Sequence, residues 1–342
     1  MLTFFYVIVS AKLIFFINFF FNKKKILIDK KIFKHKSYTS KELVPISAGF
    51  LIVFYLILFN NDYYSLIFFS ALFILGIFSD LSTITSPIKK FILQFLIIFM
   101  FLYSSNLSIL STKIFLLDFL IQNKLFAMLF TCFCFLILIN GTNFIDGVNT
   151  LVSGYYSLVI VAVIYVGYQN QQIIYSFSNF YYLLLTLIVI LSFNFYSKTY
   201  LGDSGSFLLS FVVGFHLVNL CNSNLDLTNF ISPLFIVLML WYPAFENLFS
   251  IIRKFILKKK RPSEPDNLHL HHLLFSFLRK KTKKNYYSNS LTGILINIYN
   301  FLIFFLASNF YYHTIFLTFL IFLNIFVYIS VYIFLFKKNN FF

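Results

Sequence analysis

Apolar stretches follow one another along most of the chain, separated by short polar breaks. Because a helix needs about 20 apolar residues to cross the hydrocarbon of a bilayer, this pattern predicts eleven membrane spans, with ten as the alternative count. The predicted bounds are 2–21, 44–60, 64–79, 91–108, 125–141, 151–168, 176–194, 206–222, 230–252, 288–308 and 314–336. We therefore predict an all-α, polytopic integral membrane protein that forms a single domain over residues 1–342.

Composition supports this prediction, since 60% of the 342 residues are hydrophobic and 11% are charged, which leaves no segment for a soluble domain. The first stretch is long, contains Lys12 and is not followed by a small-residue cleavage pattern, so we interpret it as a retained helix and not as a signal peptide. Cys132, Cys134 and Cys221 lie within or at the end of spans and are predicted to be apolar core residues, not disulfides or zinc ligands.

Positive charge lies mostly on one predicted face, which holds 24 of the 27 Lys and Arg residues in the loops 22–43, 80–90, 195–205 and 253–287 and after residue 336. The loops of the other face hold only Lys113 and Lys124. By the positive-inside rule the basic face is cytoplasmic, the N-terminus is outside and the C-terminus is inside. Such a face attracts anionic lipids and solutes, although topology alone accounts for most of these lysines.

Four polar segments of the basic face carry candidate site chemistry: GIFSDLSTITSPIKKFILQ (76–94), NGTNFIDGVNTL (140–151), KTYLGDSGS (198–206) and RPSEPDNLHLHHLLF (261–275). In the second segment Asn140, Asn143, Asp146 and Asn149 recur every three residues, which predicts that they share one side of a helical turn and a common pocket. In the third segment glycines flank Asp203, so the backbone there can approach a ligand closely.

Each segment alone is weak evidence for a functional site, because Gly-Asp and Asp-Gly pairs are common in ordinary turns. Three clustered histidines also suit zinc, but no thiolate is near and the spacing does not match a tetrahedral site. Together, however, the segments bring carboxylate, hydroxyl and amide oxygens to one face, and such ligands suit Mg²⁺ completed by phosphates and water. With lysine, arginine and histidine nearby to meet phosphates, the residues predict phosphoryl transfer at a membrane surface.

The segments PISAGF, NFIDGVNTLVSG, LGDSGS, YPAFENLFSIIRK and HLHHLL, in this order, resemble the polyprenyl-phosphate N-acetylhexosamine-1-phosphate transferases of glycosyltransferase family 4. The resemblance covers roughly residues 29–274. It implies a reaction that depends on Mg²⁺, with Mn²⁺ as the alternative ion. The phosphate of a polyprenyl phosphate, usually undecaprenyl phosphate, would attack the sugar-linked phosphate of a UDP-N-acetylhexosamine such as UDP-GlcNAc. The products would be polyprenyl-diphosphate-sugar and UMP.

The resemblance further implies a multi-pass protein of the bacterial inner membrane that starts a cell-envelope polysaccharide, such as O antigen, lipopolysaccharide, capsule or cell wall. Its partners would be the UDP-sugar, the lipid phosphate and the membrane, without nucleic acid, and a homodimer is left open. The motifs do not identify the sugar, the pathway or the polyprenol length.

Residue by residue, the resemblance implies three catalytic acids. Asp203 would be the principal metal ligand, Asp146 would join it beside the nucleotide, and Asp80 would lie by the attacking lipid phosphate as a base or an orienting group. Because a phosphate is already ionised near neutral pH, its second pKa being about 6, a strong base is hardly required. The implied substrate-binding residues are Asn143, Asn149, Lys90, Arg253, His269, His271 and His272.

Two positions depart from the family pattern. Ser79 stands where an acid usually precedes Asp80, and Asn149 stands where a second acid usually follows Asp146. The departures leave open a variant pocket, weakened activity, or a relative that binds lipid-linked sugars without turnover. A transporter is a further alternative. Transporters, however, usually place their substrate site near the midplane and carry internal repeats, whereas the charged residues here gather at one edge of the predicted membrane region.

Overall fold

The structure is a computed structural model that describes residues 2–28, 43–60, 62–170, 178–223, 231–257, 268–282 and 285–339. These residues form helices, and the β pairing among them is limited to two isolated bridges. The helices are α1 (Leu2–Lys24), α2 (Ala48–Phe59), α3 (Tyr63–Asp80), α4 (Pro87–Ser105), α5 (Phe115–Ile121), α6 (Lys124–Ile145), α7 (Leu151–Gln169), α8 (Ser178–Phe195), α9 (Gly202–Asn222), α10 (Pro233–Met239), α11 (Trp241–Leu257), α12 (Leu270–Thr282), α13 (Asn285–Asn309) and α14 (Thr314–Lys338).

Nine of these helices are long and apolar enough to span a membrane, and a tenth span results if α10 and α11 are counted together, within the described residues. The chain is therefore a polytopic, all-helical membrane protein, as predicted. The predicted span 44–60 corresponds to α2, whose 12 residues extend only about 18 Å at 1.5 Å per residue. Most basic residues of loops 22–43 and 253–287 lie outside the described residues.

The predicted span 230–252 is not one straight helix, because the chain bends by 71° between α10 and α11. The Tyr155 side chain of α7 occupies this bend. Its hydroxyl donates to the Met239 carbonyl (2.7 Å) and accepts from the Tyr242 amide (3.3 Å). Backbone groups freed by a broken helix are tolerated in a membrane where protein groups satisfy them, so the bend is stable although the residues on both sides are apolar.

Helix α9 forms the centre of the bundle, with 83% of its apolar window buried, whereas α4 has 22% buried and faces outward. Phe211 of α9 packs edge-on against three rings of the surrounding helices, Phe69, Phe101 and Phe135, at centroid distances of 5.6, 5.2 and 4.9 Å. Such edge-to-face contacts are favourable and directional. They fix the rotation of α9, and therefore the direction in which its first turn presents side chains.

The segment before α9 is held by residues from the start of the chain. Ser47 donates to Asn18 of α1 and hydrogen-bonds Thr199, both at 2.5 Å, and Asn18 donates to the Lys198 carbonyl. The Tyr200 amide donates to the Pro45 carbonyl at 2.9 Å. The start of α9 thus lies at the same end of the bundle as the basic C-terminus of α1.

Helix α5 was not predicted, and it lies at the opposite end of α6 from residue 145. It presents Asp118 to the preceding turn, where the carboxylate accepts from the Thr112 amide (2.6 Å), the Thr112 hydroxyl (2.7 Å), the Lys113 amide (3.2 Å) and the Ser111 hydroxyl (3.2 Å). Burial raises the pKa of Asp118, but these hydrogen bonds from Thr112, Ser111 and Lys113 outweigh it, so the pKa lies below its ordinary value.

The Asp118 contacts predict a pH-dependent contribution to stability. Because the pKa is lowered in the folded state, the stabilisation is present above the unfolded pKa, about 4, and is lost as the pH falls through the folded value. Asp118→Asn should therefore lower the thermal unfolding midpoint in detergent at pH 7, and the difference from the wild type should shrink in acid. An equal difference at both pH values would contradict this.

Candidate active site

The first turn of α9 is bound by two carboxylates from other helices. Asp80, the last residue of α3, accepts from the backbone amides of Asp203 (2.9 Å) and Ser204 (3.0 Å) with separate oxygens. Asp146, which follows α6, accepts from the Gly202 amide at 3.0 Å. A helix N-terminus attracts anions because its first amides have no partner in the helix. Here the anions that accept from these amides are the Asp80 and Asp146 carboxylates.

Gly202 makes this arrangement sterically possible. Its φ of +68° lies in the left-handed region that glycine adopts without strain. A Cβ atom at this position would lie 2.9 Å from both Asp80 oxygens and 2.4 Å from Ile46 Cγ2. Glycine thus allows a close approach to the backbone here, and the approaching group is the Asp80 carboxylate.

Asp203 projects from the same turn toward a cation and two polar side chains. Lys90 Nζ, on the first turns of α4, lies 3.0 Å from Asp203 Oδ2, and Ser79 also donates to this oxygen. Asn143 Nδ2 donates to Oδ1 at 2.6 Å and lies 3.3 Å from the Ser206 hydroxyl. The Lys90 and Asp203 side chains retain 25% and 16% exposure, so this ion pair is accessible from outside the core.

Segment 140–151 contributes to the site in part. Asn140 and Asn143 lie on α6, where Asn140 donates to Gln94 of α4 at 2.9 Å. Helix α6 ends at Ile145, so the three-residue spacing no longer places side chains on one side of a turn beyond that point. The prediction of a four-residue row is therefore wrong for Asn149, which is buried elsewhere. Its side-chain Nδ2 donates to Ser197 Oγ at 2.6 Å, and its backbone amide donates to Asn289 Oδ1 at 2.7 Å.

The histidine cluster begins α12 and packs on the same segment. The His271 and His272 rings lie 4.2 Å apart, and the His269 ring lies 5.3 Å from Phe144, two residues before Asp146. A Cβ atom at Gly147 would lie 2.6 Å from His271 Nε2 and 2.8 Å from His272 Cε1. Only glycine lets these rings approach the backbone so closely, which explains the Asp-Gly pair of the NFIDG motif.

His271 is fully buried, and neither ring nitrogen has a hydrogen-bond partner among the described residues. Burial, with His272 and His269 nearby, holds the pKa of His271 well below its ordinary value, so this ring is neutral at physiological pH. Buried polar atoms are nearly always hydrogen-bonded in native proteins to protein, water or ligand. His271 is thus a residue of this site with unused hydrogen-bonding capacity.

Arg253 contacts side chains of α11 and α14. It is buried on α11, where Nη2 donates to Ser250 Oγ (3.3 Å) and the guanidinium lies 6.0 Å from the centre of the Tyr332 ring. Two turns earlier on α11, Glu246 bonds His269 Nδ1 at 2.9 Å. The Glu246–His269 pair was not predicted. The available signal was an acid inside the apolar window 230–252, which is costly in a membrane unless paired.

The residues around Asp203 can hold a hard metal ion, although no three His, Cys, Asp or Glu side chains among the described residues form a metal-ligand group. Mg²⁺ is usually held by one or two carboxylates, with water and substrate phosphates supplying the remaining oxygens. Asp203 and Asp146 meet at the first turn of α9, and the neighbouring Ser79 and Asn143 carry further oxygen atoms. The donors present thus fit a two-carboxylate Mg²⁺ site.

The three acids and Lys90 lie within the part of the chain that matches a known family. Residues 63–221 match the model of the family described as glycosyl transferase family 4. An undecaprenyl-phosphate alpha-N-acetylglucosaminyl 1-phosphate transferase of Thermotoga maritima is 26% identical over 232 residues, which cover 67% of this chain and 67% of that protein. A probable undecaprenyl-phosphate N-acetylglucosaminyl 1-phosphate transferase of Bacillus subtilis is 29% identical over 145 residues, or 40% of this chain and 37% of that protein.

The match begins at α3 and ends within α9, so it contains Asp80, Lys90, Asp146 and Asp203, whereas Glu246 and the histidine cluster lie after it. It includes the helix ends that meet around the first turn of α9. The family expected from the sequence motifs is supported by this match and by both relatives.

Proposed function

We propose that this protein transfers N-acetylhexosamine 1-phosphate from a UDP-N-acetylhexosamine to undecaprenyl phosphate, which yields undecaprenyl-diphosphate-sugar and UMP. The observation that carries the proposal is the meeting of Asp80, Asp146 and Asp203 at the first turn of α9, with Lys90 3.0 Å from Asp203. The relatives' names supply the reaction class, and this arrangement supplies groups that can perform it.

Phosphoryl transfer between two anions requires positive charge and accurate positioning more than it requires a base. The phosphate of the lipid is ionised near neutral pH, so its oxygen attacks the sugar-linked phosphorus directly, and the bond to the UMP oxygen breaks. Mg²⁺, when bound, would neutralise the phosphate oxygens as charge shifts toward UMP. Lys90 is placed to add a second positive charge at the same position.

Asp203 is the carboxylate best suited to hold the metal, with Asp146 as the second ligand. The Asp80 oxygens already accept from two backbone amides, which favours an orienting role for Asp80 over a role as base. In this role Asp80 fixes the first turn of α9 and therefore the direction of the Asp203 side chain. Asn143, which donates to Asp203 Oδ1, supports the same orientation.

The histidine cluster would contact the diphosphate or the sugar. Its rings lie over Gly147, directly after Asp146, and His271 has unsatisfied buried nitrogens. A neutral imidazole can both donate and accept one hydrogen bond, which suits sugar hydroxyl or amide groups as well as phosphate oxygens. Arg253, whose guanidinium lies 6.0 Å from the centre of the Tyr332 ring, would be a supporting cation. Asn149 would support the fold of the loop.

The site lies at the end of the bundle that carries Lys23 and Lys24 of α1, Lys198 and the basic last turn of α12. Under the positive-inside rule this end faces the cytoplasm, where nucleotide sugars are made. We therefore place the active site on the cytoplasmic side of the bacterial inner membrane, with the N-terminus outside. The exposed edge at Lys90 would admit the lipid phosphate from the membrane surface.

A transporter accounts less well for these residues. Broken helices of transporters usually line a midplane site with charged or coordinating groups. The break here, between Met239 and Trp241, is buried, and Tyr155 satisfies its backbone. A relative that binds without turnover is the remaining alternative, and Ser79 and Asn149, which replace acids of the family pattern, are the reason to consider it.

Activity can be tested with purified protein, undecaprenyl phosphate, Mg²⁺ and a panel of sugar-labelled UDP-sugars, by counting label that extracts into butanol. We expect lipid-linked label with at least one UDP-N-acetylhexosamine and none when Mg²⁺ is chelated with EDTA. A known transferase assayed in parallel provides the positive control. No labelled lipid from any sugar would refute the enzyme and favour a binding-only relative.

Ser79→Asp tests whether the serine that replaces an acid of the family pattern weakens metal binding. The Ser79 hydroxyl now donates to Asp203, so an acid there would place two carboxylates in contact, an arrangement that is unfavourable unless a cation lies between them. We expect the variant to retain or exceed wild-type turnover and to reach half-maximal rate at a lower Mg²⁺ concentration. The matched variant Ser79→Asn should not lower that concentration. Complete loss with Ser79→Asp would show that the pocket is built around the hydroxyl.

A further inference from the structure

Glu246 is a buried acid that the proposed reaction does not use. It lies on α11 with 1% of its surface exposed, and it accepts three hydrogen bonds. Oε1 accepts from His269 Nδ1 (2.9 Å) and from the Leu270 amide (3.4 Å), while Oε2 accepts from the Tyr328 hydroxyl (2.7 Å). A carboxylate buried among apolar helices is costly without such donors.

The three donors come from the beginning of α12 and from the middle of α14. His269 directly precedes α12, and its carbonyl accepts the first hydrogen bond of the helix, from the Leu273 amide at 3.0 Å. Glu246 therefore binds both the side chain of that residue and the first amide of the helix, as an N-terminal capping acid does. Through this one carboxylate, α11 determines where α12 begins and how the His269 ring is turned.

The His269 ring also contacts the last turn of α6 and a neighbouring histidine. Phe144 lies 5.3 Å away and His271 5.6 Å away, measured between ring centres. Because a carboxylate only accepts hydrogen bonds, the Glu246 contact places a proton on Nδ1 and thereby selects one tautomer of the neutral ring. Both the plane of the ring and the role of its second nitrogen are then determined.

We propose that Glu246 is a positioning residue that orients His269, and with it the histidine cluster, for the diphosphate of the nucleotide sugar. The inference rests on the proposed function. It adds to that function a residue on α11, outside the region matched to the family. Loss of the acceptor should weaken binding of the nucleotide sugar more than it slows the chemical step, because Glu246 touches neither Asp203 nor Lys90 in its three hydrogen bonds.

The test compares Glu246→Met, which removes both acceptor oxygens, with Glu246→Gln, which retains one. With UDP-GlcNAc as the varied substrate, we expect KM to rise about tenfold in Glu246→Met, as for a lost hydrogen bond to a charged group, with little change in kcat. Glu246→Gln should restore part of the loss. In a His269→Gln background, Glu246→Met should change KM by no more than about twofold, because the two residues act as one unit.

Tyr328→Phe is the matched control, since it removes the donor to Oε2 and leaves the His269 contact intact. It should lower the unfolding midpoint without reproducing the rise in KM. If Glu246→Met does not fold, Glu246→Gln carries the same double-mutant cycle. A wild type without turnover would overturn the proposed function together with this inference. A working wild type with additive effects of Glu246 and His269 substitutions, or with equal KM changes in Tyr328→Phe, would overturn the inference alone.

Discussion

Asp203→Asn should reduce turnover by about a thousandfold or more, an effect of the size seen when a group that stabilises the reacting charge is removed. Asparagine has nearly the same shape and can still accept from Asn143. It lacks the negative charge that pairs with Lys90 at 3.0 Å and that would hold Mg²⁺. The measurement is the initial rate of lipid-linked label at saturating UDP-sugar and Mg²⁺.

Asp118→Asn is the control for the removal of an acid. Asp118 is also strongly hydrogen-bonded, but it lies near the beginning of α6, whereas the site lies at its end, about 33 Å away for 22 residues at 1.5 Å per residue. It should retain wild-type turnover at pH 7. If Asp203→Asn were as active as Asp118→Asn, the assignment of Asp203 as metal ligand would be wrong.

Asp80→Ala should lower both stability and turnover. It removes the acceptor for the Asp203 and Ser204 amides, and loss of such a cap costs about 1 kcal/mol. It also releases the turn that aims Asp203, and a misplacement of about 1 Å can reduce a rate about a hundredfold. Thermal unfolding in detergent and kcat, measured on the same preparation, check the two effects.

Asp62→Ala provides a matched control on the same helix. Asp62 caps the beginning of α3 by accepting from the Tyr64 amide (3.0 Å) and the Ser65 amide (3.2 Å), the same two-amide pattern at the opposite end from Asp80. It should lose a similar amount of stability and keep its turnover. If Asp80→Ala kept full turnover despite lower stability, Asp80 would not orient the site. If it instead shifted the pH dependence of kcat, Asp80 would act as a base.

Hydropathy was sufficient to predict most of the spans, because the bilayer requires long apolar helices regardless of their neighbours. It could not predict the 71° bend between α10 and α11. The residues on both sides of that bend are apolar, and the group that stabilises it, the Tyr155 hydroxyl, comes from a helix far away in sequence. Hydropathy also could not predict where α2 begins, because the predicted span 44–60 includes residues before Ala48 that are not helical.

For the site, motif and charge patterns correctly grouped Lys90, Asn143 and the three acids, because each lies at a helix end on one face. The role of Asp80 as a cap of α9 depends on how α3 packs against α9, which no local pattern records. The three-residue spacing grouped Asn149 with Asn140, Asn143 and Asp146. Helix α6 ends at Ile145, however, so helical spacing does not apply to Asn149. The contact of Glu246 with His269 likewise depends on helix packing.

In the proposed reaction a sugar phosphate, and not a sugar alone, passes to the lipid. This transfer is tested most directly with UDP-GlcNAc, or the active UDP-N-acetylhexosamine, labelled with ³²P at the sugar-linked phosphate, in the presence of undecaprenyl phosphate and Mg²⁺. We expect ³²P to enter the butanol phase in an amount equal to the UMP released into water. Label that remains in water as UDP while the sugar enters the lipid phase would contradict the proposed reaction.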